Sequence, residues 1–309
     1  MSASLRFEPN PAVADLPRPL ALVLSGGGAV GAVQVGHLLA LRELGIYPDL
    51  VVGTSVGAVN GAVVAADPEG GAARLVAIWS RVRRADVFPV QPLHLLASLH
   101  TRSAGLLPSR GLVTLVSDHL RETELGRLRV PLHVIATDSL TGDLVDLATG
   151  RILDALLASS AIPGVFAPVR IDGRALLDGG LVADLPIIRA FDLGARSAIV
   201  LDASGPCEVT RPPETVMEAV AWGLRVLSRS QVDAHLQAAA PRGLIVHLPT
   251  PCTTRRSAID FRGADELIAT TRLLTMAFFR EQAGQPWPAS GTVGRQHRHS
   301  TEHACLETA

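Results

Sequence analysis

Apolar residues in this chain come in short unbroken runs that alternate with stretches of helical spacing, from residue 20 to residue 283. Leu20 to Leu24 is one such run, of a length that suits a buried strand. Residues 29–44 repeat apolar positions at helical spacing and stop at Arg42, Glu43 and Gly45. A second strand follows at 49–54, then a helix of small residues at 56–66 closed by Asp67-Pro68. Further strands are predicted at 131–137, 143–148, 175–177, 197–202 and 243–248. Further helices are predicted at 71–84, 151–159, 186–193, 213–239 and 262–283. Strands and helices in alternation point to an α/β fold with a mainly parallel sheet.

The ends break the pattern. Residues 1–18 are polar and proline-punctuated and read as a loose arm, leaving 19–283 as one domain. Residues 284–309 read as a disordered polar tail. Its His297, His299 and His303 match no standard metal-ligand spacing, so neither a metal nor a cofactor is expected. Residues 85–110 are less regular, with prolines bracketing Leu93, Leu96 and Leu99. They read first as a buried helix with its loop, and alternatively as a cover with an interfacial face. Residues 19–41 carry no formal charge, yet Gly26, Gly27, Gly28, Gly31 and Gly36 interrupt them, so a strand, turn and helix explain them better than a membrane span.

Composition narrows the chemistry. The formal net charge of −1 gives no reason to expect nucleic acid. All 28 basic residues are arginine, which removes any lysine nucleophile or Schiff base. Three scattered cysteines form neither a disulfide framework nor a zinc site and suggest a reducing compartment. The N-terminus lacks the apolar core of a signal peptide, so a cytoplasmic location is expected. Nothing in the sequence sets an oligomeric state.

Two glycine motifs follow the first two strands. Residues 26–31 literally satisfy the GxGxxG dinucleotide pattern. That reading also wants an acid at the end of the second strand, where this chain has Gly53-Thr54-Ser55. The second motif, Gly53-Thr54-Ser55-Val56-Gly57, matches GxSxG between a strand and a helix, the setting of a nucleophile elbow. A glycine-rich helix start capped by Ser55 is the plainer alternative. If Ser55 is a nucleophile, Gly26, Gly27 and Gly28 supply backbone able to approach a substrate closely and donate N–H groups to a developing oxyanion.

A serine nucleophile needs a base. His235 and His247 are the histidines in suitable chain order, but one falls in a long helix and the other near a strand end. Asp178, directly after a strand and followed by Gly179 and Gly180, is either a simple turn or the base.

GGGxxG at 26–31, GTSVG at 53–57 and Asp178-Gly179-Gly180, in this order, resemble the patatin-like phospholipase family. The stretches Ala136 to Asp143, Ala158 to Phe166 and Asp178 to Pro186 are similar to others typical of it, so the resemblance runs from about residue 20 to 205. It implies a three-layer α/β/α fold and a Ser–Asp dyad without histidine, with Ser55 as nucleophile and Asp178 as base. It also implies an oxyanion hole at Gly26, Gly27 and Gly28, with Gly31, Gly53, Gly57, Gly179 and Gly180 completing the motifs. The implied substrates are lipid or phospholipid esters, met by transient contact with a membrane surface. Two residues depart from the family pattern: Val30 where Arg or Lys is usual, and Asp184 where Asn is usual. Val30 leaves open a non-catalytic scaffold on the same fold, and an acyltransferase would use the same acyl-enzyme.

Overall fold

The computed structural model describes residues 16–89, 105–203, 212–214, 216–251 and 258–294. The chain opens with β1 (Leu20–Leu24), a tight 3-10 turn (Gly28–Gly31), α1 (Ala32–Glu43), β2 (Leu50–Thr54) and α2 (Val56–Ala66). Next come α3 (Gly71–Trp79), α4 (Arg84–Val87), α5 (Arg110–His119), β3 (Leu132–Asp138), β4 (Leu144–Leu147) and α6 (Ile152–Ser159). They are followed by β5 (Val169–Ile171), β6 (Arg174–Asp178), α7 (Gly180–Ala183), α8 (Ile187–Asp192) and β7 (Ser197–Leu201). The last elements are α9 (Val216–Ala239), β8 (Leu244–His247), α10 (Ala264–Gln282) and β9 (Gly291–Val293).

The described strands form one sheet in the order β5-β6-β3-β2-β1-β7-β8-β9, with β4 also paired to β3. From β3 to β9 along this order every pairing is parallel, whereas β4 and β6 lie antiparallel to β3. Side-chain alternation along the strands builds the layers. Leu20, Leu22, Leu24, Val51, Val134 and Ile199 face a core shared with α1, α2, α3, α6 and α10. Ala21, Val23, Val52, Ile135, Ala198 and Val200 face a second core closed by α8 and α9. Both sides of the sheet are thus covered, which is why β1 is wholly apolar and β2 and β7 are apolar apart from Thr54 and Ser197 at their ends. The three-layer α/β/α arrangement expected from the sequence is what this packing produces.

Strand order reverses at β1: β2 and β3 extend to one side and β7 and β8 to the other. Crevices beyond the carboxyl ends of strands at such a switch point are where open α/β sheets bind ligands. The loops after β1, β2 and β7 all emerge there.

Three sequence expectations need correction. Residues 16–18 pack with the domain: Leu16 is buried in the core, Arg18 pairs with Asp49 and the Ser197 hydroxyl donates to the Pro17 carbonyl. Part of the stretch after residue 284 packs with the domain: Gly291–Val293 extends the sheet beside β8, and Trp287 meets Phe279 edge-on. A three-residue strand inside a polar stretch is too short for periodicity to reveal. A helix that the periodicity did not predict, α5 (Arg110–His119), follows the irregular segment. Leu93, Leu96 and Leu99, and the tail histidines at 297, 299 and 303, lie outside the described residues. Among the described residues, no helix is long and apolar enough to cross a membrane.

Where α10 crosses α1, Gly36 provides the clearance. A methyl group there would stand 2.5 Å from the Ile268 carbonyl oxygen and 2.7 Å from the Thr271 Cβ. Gly36→Ala is therefore expected to destabilise the fold by about 1–3 kcal/mol through overpacking, despite the better helix propensity of alanine. Urea denaturation checks this as a lower midpoint at an unchanged slope.

Candidate active site

β2 ends at Thr54 and α2 begins at Val56, so Ser55 alone makes the connection. Its backbone has φ 53° and ψ −124°, a conformation that costs a non-glycine residue on the order of 1–3 kcal/mol. Hydrogen bonds hold it there. The Ser55 N–H donates to Ser159 Oγ at 2.8 Å, and the Ser159 hydroxyl donates in turn to the Ile135 carbonyl. The Ser55 carbonyl accepts the N–H groups of Ala58 and Val59, the first bonds of α2. Close approach demands the flanking glycines. A methyl on Gly57 would stand 2.5 Å from the carbonyl oxygens of Leu24 and Ser25, and one on Gly53 would stand 2.8 Å from the Ala58 backbone. The turn thrusts the Ser55 side chain to the crevice edge of the sheet, with the positive end of the α2 dipole behind it.

Asp178 ends β6, paired across β3 with Ala136. The Ser55 hydroxyl donates to its Oδ2 at 2.8 Å, and the Gly180 N–H donates to its Oδ1 at 2.8 Å. Its main chain is fixed as well, with its N–H on the Ala161 carbonyl and its carbonyl accepting the Thr137 hydroxyl. Gly179 lies so close to the Ile135 carbonyl oxygen that a methyl there would overlap it. Ser55 and Asp178 are 8% and 7% exposed, so the pair is largely shielded from solvent. Burial pushes the Asp178 carboxyl up to about 6, while the bonds from Gly180 and Ser55 hold it down by stabilising the anion.

The glycine loop passes beside this pair. A methyl on Gly26 would stand 3.6 Å from Ser55 Cβ. Gly27 and Gly28 have φ of 145° and 58°, which turn the chain sharply before the helix. Of the three glycine N–H groups, that of Gly26 donates to the Asp184 carbonyl at 3.1 Å. The N–H groups of Gly27 and Gly28 have no partner among the described residues. Gly31 closes the loop's far end against Val56, whose Cγ2 would lie 2.6 Å from a methyl there.

A buried polar network that sequence reasoning missed supports this loop. Gln34 Nε2 donates to the carbonyls of Ser25 and Leu201. Asn60 Nδ2 donates to the Gly31 carbonyl and to Gln34 Oε1, and Trp79 Nε1 donates to Asn60 Oδ1. The Ser25 hydroxyl donates toward the Gly26 carbonyl and accepts the Ala203 N–H, tying the loop to the strand beyond. Each of these side chains sits on a helix face or loop whose spacing reads as packing, so no pattern marked it. Ser159 was hidden in the same way, at the end of α6.

The two histidines weighed as bases lie elsewhere. His247 is buried with its Nε2 3.7 Å from Asp202, and His235 lines an open cavity of about 470 Å³ with Leu144, Val182 and Pro186. Neither bonds to Ser55 or Asp178 among the described residues. Val30 is buried in the larger core, a place that would desolvate the cation usual at this position. No group of three or more His, Cys, Asp or Glu able to hold a metal ion occurs among the described residues.

Comparison with known proteins bears on the same segments. An uncharacterized NTE family protein of Mycobacterium tuberculosis is 33% identical over 186 residues, which cover 60% of this chain and 49% of that protein. Patatin-like phospholipase domain-containing protein 6 of Homo sapiens is 31% identical over 193 residues, 61% of this chain and 14% of that protein. The chain thus aligns with about half the length of the mycobacterial relative and a smaller share of the mammalian one. The crystal structure of VipD from Legionella pneumophila overlays with a TM-score of 0.46 at 15% identity, covering 86% of this chain and 67% of that one. The model of the patatin-like phospholipase family matches residues 22–191, more than half of the sequence, and takes in the glycine loop, Ser55 and Asp178. The chain therefore belongs to the patatin-like phospholipase family.

Proposed function

We propose that the protein is a serine acyl hydrolase acting on lipid esters through Ser55 and Asp178. The observation that carries this reading is the 2.8 Å hydrogen bond from the Ser55 hydroxyl to a buried carboxylate, made at a strained strand-to-helix turn. Membership of a phospholipase family supplies the substrate class: phospholipids, lysophospholipids or neutral lipids.

In this mechanism Asp178 takes the Ser55 proton as Oγ attacks the acyl carbon. Negative charge moves to the carbonyl oxygen, where the N–H groups of Gly27 and Gly28 and the α2 dipole stabilise it. Asp178 then returns the proton to the departing alkoxide, leaving an acyl-enzyme. A water molecule gives its proton to Asp178, attacks the acyl carbon and releases the fatty acid as Ser55 recovers its proton. An alcohol in place of water would give acyl transfer by the same route.

Val30, the sole sequence argument for a scaffold, packs inside the core, while the elements of the dyad remain hydrogen-bonded; both facts favour the enzyme. The catalytic unit proposed is residues 19–283 extended by Leu16 to Arg18 at one end and by β9 at the other. A cytoplasmic enzyme that meets the inner membrane face transiently accounts for the implied substrate.

Hydrolysis of p-nitrophenyl esters of rising acyl length tests the reading. Ser55→Ala and Asp178→Ala are each expected to lower kcat/KM by at least about 10²–10⁴-fold. Survival of activity in either variant would sink the dyad. Because the base must be a carboxylate, kcat/KM should rise tenfold per pH unit up to about pH 6. The same shift predicts a stability effect. Asp178 has a folded-state pKa above its unfolded value, so its ionisation weakens the fold as pH rises through about 6. Asp178→Asn should accordingly raise the urea midpoint at pH 8 more than at pH 5 while abolishing activity. Ser159→Ala, which removes the acceptor of the Ser55 N–H and the hydroxyl donated to the Ile135 carbonyl, should cost about 1–3 kcal/mol of stability in the same measurement.

A further inference from the structure

A second carboxyl shares the crevice with the dyad. Asp184 follows α7 and is 7% exposed, with no cation bonded to it among the described residues. Its main-chain carbonyl accepts the Gly26 N–H, and one carboxyl oxygen accepts the hydroxyl of Ser228 from α9. The other oxygen points between the glycine loop and Gly180. A methyl on Gly180 would stand 3.1 Å from this oxygen and 3.1 Å from Asp178 Oδ1, and one on Gly26 would overlap it. Asp184 therefore touches the loop that carries the oxyanion donors and sits beside the base.

The charges that act on it among the described residues are of one sign. Asp178 at the end of β6 and Asp202 after β7 both act on it, and Ser228 on α9 is neutral. His247 at the end of β8 lies beside Asp202. Acylation transfers one negative charge from Asp178 to an oxygen next to the glycine loop. An ionised Asp184 against that loop repels the charge arriving there, whereas a neutral carboxyl does not.

We propose that Asp184 is a positioning residue that serves the reaction as a neutral carboxylic acid, and that its ionisation shuts the site down from the alkaline side. The proposal rests on the reading of Ser55 and Asp178 as the dyad. Burial, with repulsion from Asp202 and Asp178, pushes the Asp184 carboxyl up to about 7 against the hydrogen bonds from Ser228 and Gly26. The two carboxyls titrate as a coupled pair, and their apparent pKa values belong to the pair as a whole.

The test is the pH profile of kcat/KM on a soluble ester, with samples quenched and read at one fixed pH and the Ser55→Ala rate subtracted. The wild type should fall by about tenfold or more between pH 7 and pH 9, as expected when one required proton is lost. Asp184→Asn, which cannot ionise, should lose this descending limb. Ser228→Ala removes a donor that stabilises the carboxylate, so it should move the limb to higher pH. A role confined to packing would shift neither limb. The proposal is overturned if the wild type shows no alkaline limb, or if Asp184→Asn keeps it. Should Asp184→Asn fail to fold by circular dichroism, Ser228→Ala decides, and an unmoved limb overturns the proposal. Activity persisting in Ser55→Ala would instead defeat the dyad reading itself.

Discussion

At Ser55 the backbone must turn from a strand into a helix within a single residue, and nearly every unusual local choice nearby follows from that. A serine at φ 53° is held only because its N–H and carbonyl are both tied down and because glycines stand where side chains would collide. Strain spent here places the hydroxyl proud of the sheet edge, in reach of a carboxylate that arrives from a different strand. The antiparallel β6 brings Asp178 to β3, the strand next to β2, so sheet registry sets the donor–acceptor distance.

Small residues are the means. The crevice region must bring three backbones together: the glycine loop, the elbow and the turn after β6. Thr54 spans two of them, its hydroxyl on the Ala183 carbonyl, and Asp184 spans the loop and the turn through its own carbonyl. Behind this layer, Gln34, Asn60 and Trp79 satisfy one another inside the core. A fully bonded buried network is stiff, because losing any member strands its partners at a cost near that of an unmade hydrogen bond. Rigidity of this kind is what the proposed oxyanion stabilisation requires, since dipoles that need no reorganisation contribute most.

How much of this was legible from residues alone varied with the type of signal. The strand runs at Leu20, Leu50 and Ser197 were readable because both faces of the sheet are covered, which turns buried strands into unbroken apolar segments. Ser55, Asp178 and the glycine loop were readable because a motif's residue types are forced by geometry. Ser159, Gln34 and Asn60 were not, since each acts through tertiary contacts that leave no local pattern. β9 was missed because three residues carry no period, and Leu16 because an isolated apolar residue among prolines resembles a loose arm. Asp184 was visible as a departure from the family, but its meaning needed the Gly26 and Ser228 contacts. The loss of Gly26 as a free donor also needed them.

The central claim is that Ser55 is made nucleophilic by direct contact with Asp178. Covalent labelling with a long-chain alkyl fluorophosphonate, followed by intact-mass and peptide mapping, reads that step without turnover. The account predicts a single adduct on Ser55, formed more slowly as pH falls below about 6 and at least a hundredfold more slowly in Asp178→Ala. An adduct on another residue, or Ser55 labelling at an undiminished rate without Asp178, would contradict it.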